Sequence, residues 1–308
     1  MEDRAILQDV NLRQLEYVIA IAEQGSFTGA AERLLVAQPS LSHQVRALEQ
    51  ELGGTLLERL PRGTRLTPAG VSFIGEARAT VAHAERARRA ARMAFGLEAG
   101  EIEIATLATA SAGILPPLLS RWQQRHPGVH VSLREFVSRR ALEEAVRDGQ
   151  GDLAIGAPPA GWRGRVEPLG WEEFVVVLPE RDALLAERAV DLGELADRKW
   201  VHFKGDHGLA QILDAQCAAK GFAPRIAVRT SQVVPAPLLA AAGLGPTLVP
   251  DNVVPAELRQ LTRPLRPRIA RRLVAYTRGT WSPVSRAFLD LLHQDPWPRR
   301  PRGAEDVG

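Results

Sequence analysis

The chain has 308 residues, enough for two or three domains, and its 45% hydrophobic and 24% charged content is that of a folded, water-soluble protein. No run reaches the ~18 apolar residues of a membrane span, and Met1-Glu2-Asp3-Arg4 lacks the basic start and apolar core of a secretory signal. A single cysteine, Cys217, excludes an internal disulfide and a cysteine-rich metal site, so the expected compartment is the cytoplasm. The formal net charge of +3 does not itself point to nucleic acid. Residues 1–99 carry 12 Arg against 12 Asp and Glu, while residues 263–302 carry ten Arg against Asp290 and Asp295. Local placement of arginines is therefore the informative quantity.

In chain order, the first predicted element is a helix with the apolar stripe Leu12, Leu15, Ile19 and Ala22, ended by Gly25. Ser26 caps a second short helix containing Phe27-Thr28-Gly29-Ala30-Ala31-Glu32-Arg33-Leu34. A third begins at Gln38-Pro39-Ser40, with proline in the first turn where its missing N–H costs nothing. At roughly 100° per residue, Leu41, Val45, Leu48 and Leu52 fall on its inner side. Pro39, His43, Arg46 and Gln50 fall opposite, with Ser42 at the edge. Taken alone, that polar face is what any amphipathic helix gives to solvent. With its neighbours it has the shape and chemistry to enter a DNA major groove. Two short apolar segments, Leu56-Leu57-Glu58-Arg59-Leu60 and Thr64-Arg65-Leu66, then flank Pro61-Arg62-Gly63, a β-wing whose arginines can lie along phosphate.

This ordered set, from Leu12 to Gly70, resembles the winged helix-turn-helix of the LysR-type transcriptional regulators. Leu57 stands where that family usually has Phe and His43 where it often has Arg, which touches base preference and not the groove. The resemblance implies DNA contacts from Ser26, Thr28, Gln38, Pro39, Ser40, Ser42, His43, Arg46, Arg59, Arg62 and Arg65. Thr67-Pro68 starts a long helix with nothing to break it before Gly96. Its stripe of Phe73, Ala77, Val81, Ala84, Ala87 (or Arg88), Ala91 and Phe95 lies opposite Arg78, Arg86, Arg89 and Arg92. Such a helix spans ~40 Å, too long to bury its stripe against the small preceding domain. It serves either as a solvent-bridging linker or, as we expect, for dimerisation, since an unpaired stripe is a liability.

From Glu101 the pattern becomes alternating strands and helices. Strands at 102–105, 129–136 and 152–155 enclose helices at 114–126 and 139–149, a βαβαβ unit with a parallel sheet. A second unit follows: strands at 174–178, 200–203, 225–229 and 247–249, helices at 206–220 and 238–242, a return strand at 271–277 and a closing helix at 283–293. Two such lobes resemble the effector domain of the same family, a fold shared with periplasmic binding proteins. The matching residues are Leu115-Pro116-Pro117-Leu118-Leu119, Gly151-Asp152-Leu153-Ala154-Ile155 and Ala241-Ala242-Gly243-Leu244-Gly245. Pro235 and Pro237 depart from a regular helix there. The expected architecture is thus an N-terminal winged helix-turn-helix, mainly α (1–67), a long linker helix (68–96), and two α/β lobes of periplasmic-binding-protein type. Lobe I takes 101–158 and 278–295, lobe II 159–277, and 296–308 is a disordered tail rich in Pro and Arg.

Ligands of open α/β sheets collect beyond the carboxyl ends of strands, where helix N-termini suit anions. The residues at those ends are Thr106, Thr109, Ser111 and Ser138 in lobe I, and Lys204, Gly205, Asp206, His207, Thr230, Ser231 and Gln232 in lobe II. Each Ser or Thr could be a simple cap. Together they occupy the place where the resembled family binds its effector, and Lys204 adds a cation for a small organic anion. Catalytic patterns are lacking: there is no phosphate loop and no supported Ser/His/Asp set, Pro127-Gly128 separates His126 from His130, and Cys217 sits among alanines as a small buried hydrophobe. No cofactor or metal is expected. Expected partners are a double-stranded DNA operator, a small-molecule effector, a second copy or a tetramer, and RNA polymerase if the regulator activates, with no membrane. The alternatives are a ligand-independent regulator, a ligand-binding protein without DNA function, an α/β enzyme and an architectural DNA protein.

Overall fold

The computed structural model describes residues 10–61, 63–94 and 100–308, which form two compact units, one up to residue 98 with 147–150 and one comprising the remainder from residue 99. In the first unit, α1 (Leu12–Gln24) opens on a reciprocal cap between Asn11 and Gln14 and closes at Gly25 in the left-handed conformation, φ 62°. Ser26 Oγ accepts from the Gly29 N–H at 3.0 Å and starts α2 (Phe27–Leu34). The turn into α3 (Gln38–Glu51) passes through Leu35, left-handed and 93% exposed. Val18, Ile21, Leu41, Val45 and Leu48 form the core, whereas Leu12 and Leu52 end up exposed. The buried face of α1 is thus centred on Val18 and Ile21, not on the predicted Leu12–Leu15–Ile19 line.

The wing is an antiparallel pair, β1 (Leu57–Leu60) and β2 (Gly63–Leu66), held against the α1–α2 turn by the Thr64 N–H to Gly25 carbonyl bond at 2.7 Å. After it comes α4 (Pro68–Ala94), whose Gly70 lies so close to the wing that a Cβ there would sit 2.1 Å from the Leu56 carbonyl oxygen. The expectation that this helix cannot bury its stripe at home is corrected for its first turns. Phe73 and Ile74 pack into the N-terminal core, and Ala77 is buried. Val81 and Ala84 are half-buried, and Ala87 and Ala91 are exposed. Phe95 and the side chains of Arg86, Arg89 and Arg92 lie outside the described residues.

The second unit begins with β3 (Glu101–Leu107), then α5 (Ala108–Gly113), α6 (Leu115–Arg125), β4 (His130–Phe136), α7 (Arg139–Arg147) and β5 (Leu153–Gly156). β3 lies between β4 and β5, parallel to both, as the βαβαβ reading requires. The chain then runs along β6 (Arg165–Val177), far longer than the predicted 174–178. It continues through β7 (Lys199–Phe203), α8 (Gly208–Ala219), β8 (Arg225–Thr230), α9 (Pro235–Leu239), β9 (Thr247–Pro250) and β10 (Thr262–Pro264), and returns on β11 (Ile269–Thr277) to α10 (Pro283–His293) and β12 (Glu305–Asp306). Pro235 and Pro237 fall in the first turn of α9, so that helix starts three residues before the predicted 238.

β6 and β11 are the two crossings between lobes. The ends of β6 and β11 nearest Arg165 and Thr277 pair with each other, and that end of β11 also pairs with β5, in lobe I. The Phe174–Val177 end of β6 pairs with β9 and β10, in lobe II. The register shifts between Leu273 and Val274, opposite Gly170 and Pro168. The tail also departs from expectation, because 296–308 is packed. Trp297 Nε1 donates to the Leu292 carbonyl at 2.7 Å, the Arg300 guanidinium sits over the Trp171 ring, and β12 pairs with β11. Val307 packs against the lobe II core. Tryptophan and valine give this segment apolar surface that its Pro and Arg content conceals.

Candidate nucleic-acid interface and interlobe cleft

On α3, Pro39, Ser40, His43, Arg46 and Gln50 are exposed along one side, with Gln38 half-buried at the start. Thr28 is exposed on α2, and Ser26 is engaged as its cap. Ser42 departs from its assignment to the outer edge: it is buried, and its Oγ accepts from Arg59 Nη2 at 2.8 Å. Arg59 in turn lies 4.3 Å from the Phe27 ring centroid. It therefore joins the wing to α2 and α3. We expect Arg59→Lys to lower affinity for duplex DNA even though charge is kept, because ammonium cannot stack on Phe27 while reaching Ser42. Salt-dependent titration checks this, and wild-type affinity in the lysine variant would contradict it. Arg65 is exposed and paired across the hairpin with Glu58 at 2.6 Å; Arg62 lies outside the described residues.

In the second unit, the candidate residues divide. Thr106 is fully buried within the sheet, donating to the Ile155 carbonyl at 3.1 Å, so it is a sheet residue and does not face the cleft. Lys204, Gly205 and Asp206 are exposed on the turn before α8, outside the linings of the cavities described below. Six of the remaining residues gather at two adjoining cavities, and Thr230 lines neither. Ser111, Ser231 and Gln232 line a cavity of about 450 Å³ with Leu133, Glu135 and Val233. Ser111 Oγ donates to the Ala108 carbonyl at 3.1 Å and to the Glu135 carboxylate. Thr109, Ser138 and His207 surround a constriction of about 10 Å³ that shares Ala108 and Val137 with that cavity. There the Gly208 N–H donates to the Val137 carbonyl at 2.8 Å, bridging the lobes.

Beneath the constriction lies a buried polar group that the sequence did not reveal. Arg271 on β11 faces Glu172 on β6, and the two are 5% and 3% exposed. Arg271 Nε donates to Glu172 Oε1 at 2.6 Å and Nη2 to Thr109 Oγ1 at 3.1 Å, while Asn252 Nδ2 donates to Glu172 Oε2 at 2.9 Å. Burial, partly offset by Asp206 and reinforced by Arg271, lowers the His207 pKa from 6.5 to about 4. Between those values the unfolded chain binds a proton that the folded chain does not. Stability present above about pH 6.5 is therefore lost as pH falls toward 4, by about 3 kcal/mol from this group. Denaturant unfolding at neutral pH and at pH near 4.5 should show a smaller acid loss in His207→Asn, which retains a capping oxygen; an equal loss would contradict it. Cys217 is buried, and burial with nearby Asp214 pushes its thiol up to about 12, so it stays protonated. His126 stacks on Trp122.

Comparison with known proteins decides the family. The description "Bacterial regulatory helix-turn-helix protein, lysR family" matches residues 12–71, and "LysR substrate binding domain" matches residues 95–296. The chain belongs to the LysR family. This LysR-type regulator is 34% identical to the HTH-type transcriptional regulator TfdS of Cupriavidus pinatubonensis (strain JMP 134 / LMG 1197), over 92% of this chain and 98% of that one. It is 31% identical to the Hca operon transcriptional activator HcaR of Escherichia coli (strain K12), over 92% and 98%. Among solved structures, that of CbnR, a LysR family transcriptional regulator, superposes with a TM-score of 0.66 at 25% identity, covering 92% of this chain and 99% of that one. Full-length CbnR complexed with target DNA gives 0.63 at 26%, covering 92% and 99%. The regulator is thus a DNA-binding transcriptional regulator with an effector-binding domain, and its relatives are regulators, not enzymes. Among the described residues no helix is long and apolar enough to cross a membrane.

Proposed function

We propose that this LysR-type regulator works in the cytoplasm as a homodimer or tetramer, reads its operator through the exposed side of α3, and is switched by a small molecule held between the two lobes. It performs no chemistry of its own. His43 and Arg46 read base edges, Pro39 and Ser40 seat the helix, Ser26 and Thr28 meet the backbone, and Arg62 and Arg65 of the wing meet phosphate. Arg65 leaves Glu58 to do so, and RNA polymerase is a further partner if the regulator activates. The working parts follow the division into winged domain, linker helix and lobes. The observation that carries the reading is the presence in one chain of an exposed Pro39–His43–Arg46 face and a cleft to which Ser111, Ser231 and Gln232 contribute. Half-buried Val81 and Ala84 on α4 supply the self-contact.

Bridging the cleft tests the coupling. Cysteines at Ser111 and Gln232, one per lobe on the same cavity, are joined by a short bismaleimide. Cys217 is spared because its buried thiol stays protonated. Bridged and unbridged proteins should differ in DNA footprint or affinity. Identical footprints and affinities would refute control through the cleft.

A further inference from the structure

We infer that residues 297–307 form a strap across the two strands that cross between the lobes, fastened to a different lobe at each end, and that it restrains the lobes from moving against each other. The inference goes beyond the reading of the cleft and holds whatever the cleft binds. The segment lies beyond residue 296, the last matched by the family description. Its lobe I end is Trp297, which packs against the core of Leu115, Trp122 and Phe288 and donates from Nε1 to the Leu292 carbonyl. The fit there is close: a Cβ on Gly170 of β6 would sit 2.4 Å from the Trp297 Cβ. Its lobe II end is Val307, packed against the core that contains Phe174, Leu213 and Ile269.

Between these ends the segment is tied to both crossing strands. On β6, the Trp171 N–H donates to the Pro298 carbonyl at 3.0 Å, and Arg300 lies 5.0 Å from the Trp171 ring centroid. At the start of β11, the Arg268 carbonyl accepts from the Glu305 N–H at 2.8 Å and the Ala270 carbonyl from the Val307 N–H at 3.0 Å. The span is not slack. Pro298 and Pro301 fix their own φ. The Ala304 N–H closes a turn on the Pro301 carbonyl at 3.1 Å, and Arg300 Nη2 donates to the Ala304 carbonyl at 2.7 Å. A loose coil would leave the lobes free. A span held by its own bonds and by both strands must deform or detach when those strands flex, and a change of angle between the lobes has to pass through them. Asp306 and Val307 also border a cavity of about 540 Å³ with Arg140 of lobe I and Gln211 of lobe II, which gives the lobes room to move.

Amide hydrogen exchange on the unaltered full-length protein is the first test. A strap detaches as one piece, so the amide protons of Trp171, Glu305 and Val307 should show protection factors equal within about fivefold, as members of one opening unit. A larger difference makes the two ends independent anchors and overturns the inference. The second test reads the lobes themselves. Spin labels on cysteines at Gln124 of α6 and Ala219 of α8, both exposed, report the distance between lobes by pulsed electron spin resonance. Labelled chains are diluted in unlabelled ones so that only pairs within a chain count, and the buried, protonated Cys217 escapes the label. Gly170→Ala dislodges the lobe I end, because the three atoms nearest the added methyl all belong to Trp297 and Pro298. Val307→Asp dislodges the lobe II end by placing a charge against its apolar seat. Each variant should broaden or shift the distance distribution. The double variant should do so no further than the larger single change, since a strap is lost when either end is cut. An unchanged distribution in either single variant, or changes that add in the double variant, overturns the inference.

Discussion

Glu172→Ala is expected to lower the unfolding free energy by about 3–5 kcal/mol, the cost of leaving a buried charge without its partner. Arg271 would keep only Thr109, and Asn252 would lose the acceptor for its amide. The Arg271 guanidinium also lies 5.4 Å from the Phe174 ring centroid, so its hydrocarbon and cationic surfaces are packed and cannot swing to water. Replacing both charges, Glu172→Ala with Arg271→Met, should recover most of the loss, since a desolvated pair is itself costly to bury. Denaturant unfolding followed by tryptophan fluorescence measures both. A single-variant loss below about 1 kcal/mol would contradict the burial of this pair. Because β6 and β11 are the two crossings between lobes, weakening their pairing also loosens the cleft above it.

Arg46→Ala is expected to weaken binding to the operator by about 1–3 kcal/mol, roughly 5- to 150-fold, if the guanidinium reads a base edge. Arg46 is exposed two turns into α3, and its backbone is fixed by Val45 and Leu48 on the buried side, so the variant should fold normally. Binding to unrelated duplex should fall much less. An equal loss on every sequence would make Arg46 a phosphate contact. Fluorescence anisotropy on matched and scrambled duplexes separates the two.

The N-terminal unit was legible because its signals are local. A cap at Ser26, a left-handed glycine at 25 and a first-turn proline at 39 each act within one turn of helix, and each appears where the sequence placed it. The Ser42–Arg59 contact there depends on a bond across 17 residues that no helical wheel contains. In the lobes, strands with continuous apolar runs were readable, whereas the Arg165–Gly170 part of β6 was not, since Pro168 and Gly170 argue against a strand unless a bulge absorbs them. The Glu172–Arg271 pair spans 99 residues and shows only once β6 and β11 are in register. Lys204 follows the end of β7, as its place in the sequence implies, and the turn before α8 leaves it exposed. The tail misled through composition alone, because Trp297 and Val307 anchor a segment otherwise rich in proline and arginine.

Sequence-specific DNA binding through the exposed side of α3 is the core of the proposed function. Selection from a pool of random duplexes by the full-length protein tests it most directly, run in parallel with the His43→Ala, Arg46→Ala double variant. Wild type is expected to enrich a two-fold-related site with half-sites about 34 Å apart or a multiple of that, and the double variant to enrich it weakly or with altered bases. Enrichment of one and the same site by both proteins, or of none by wild type, would contradict it.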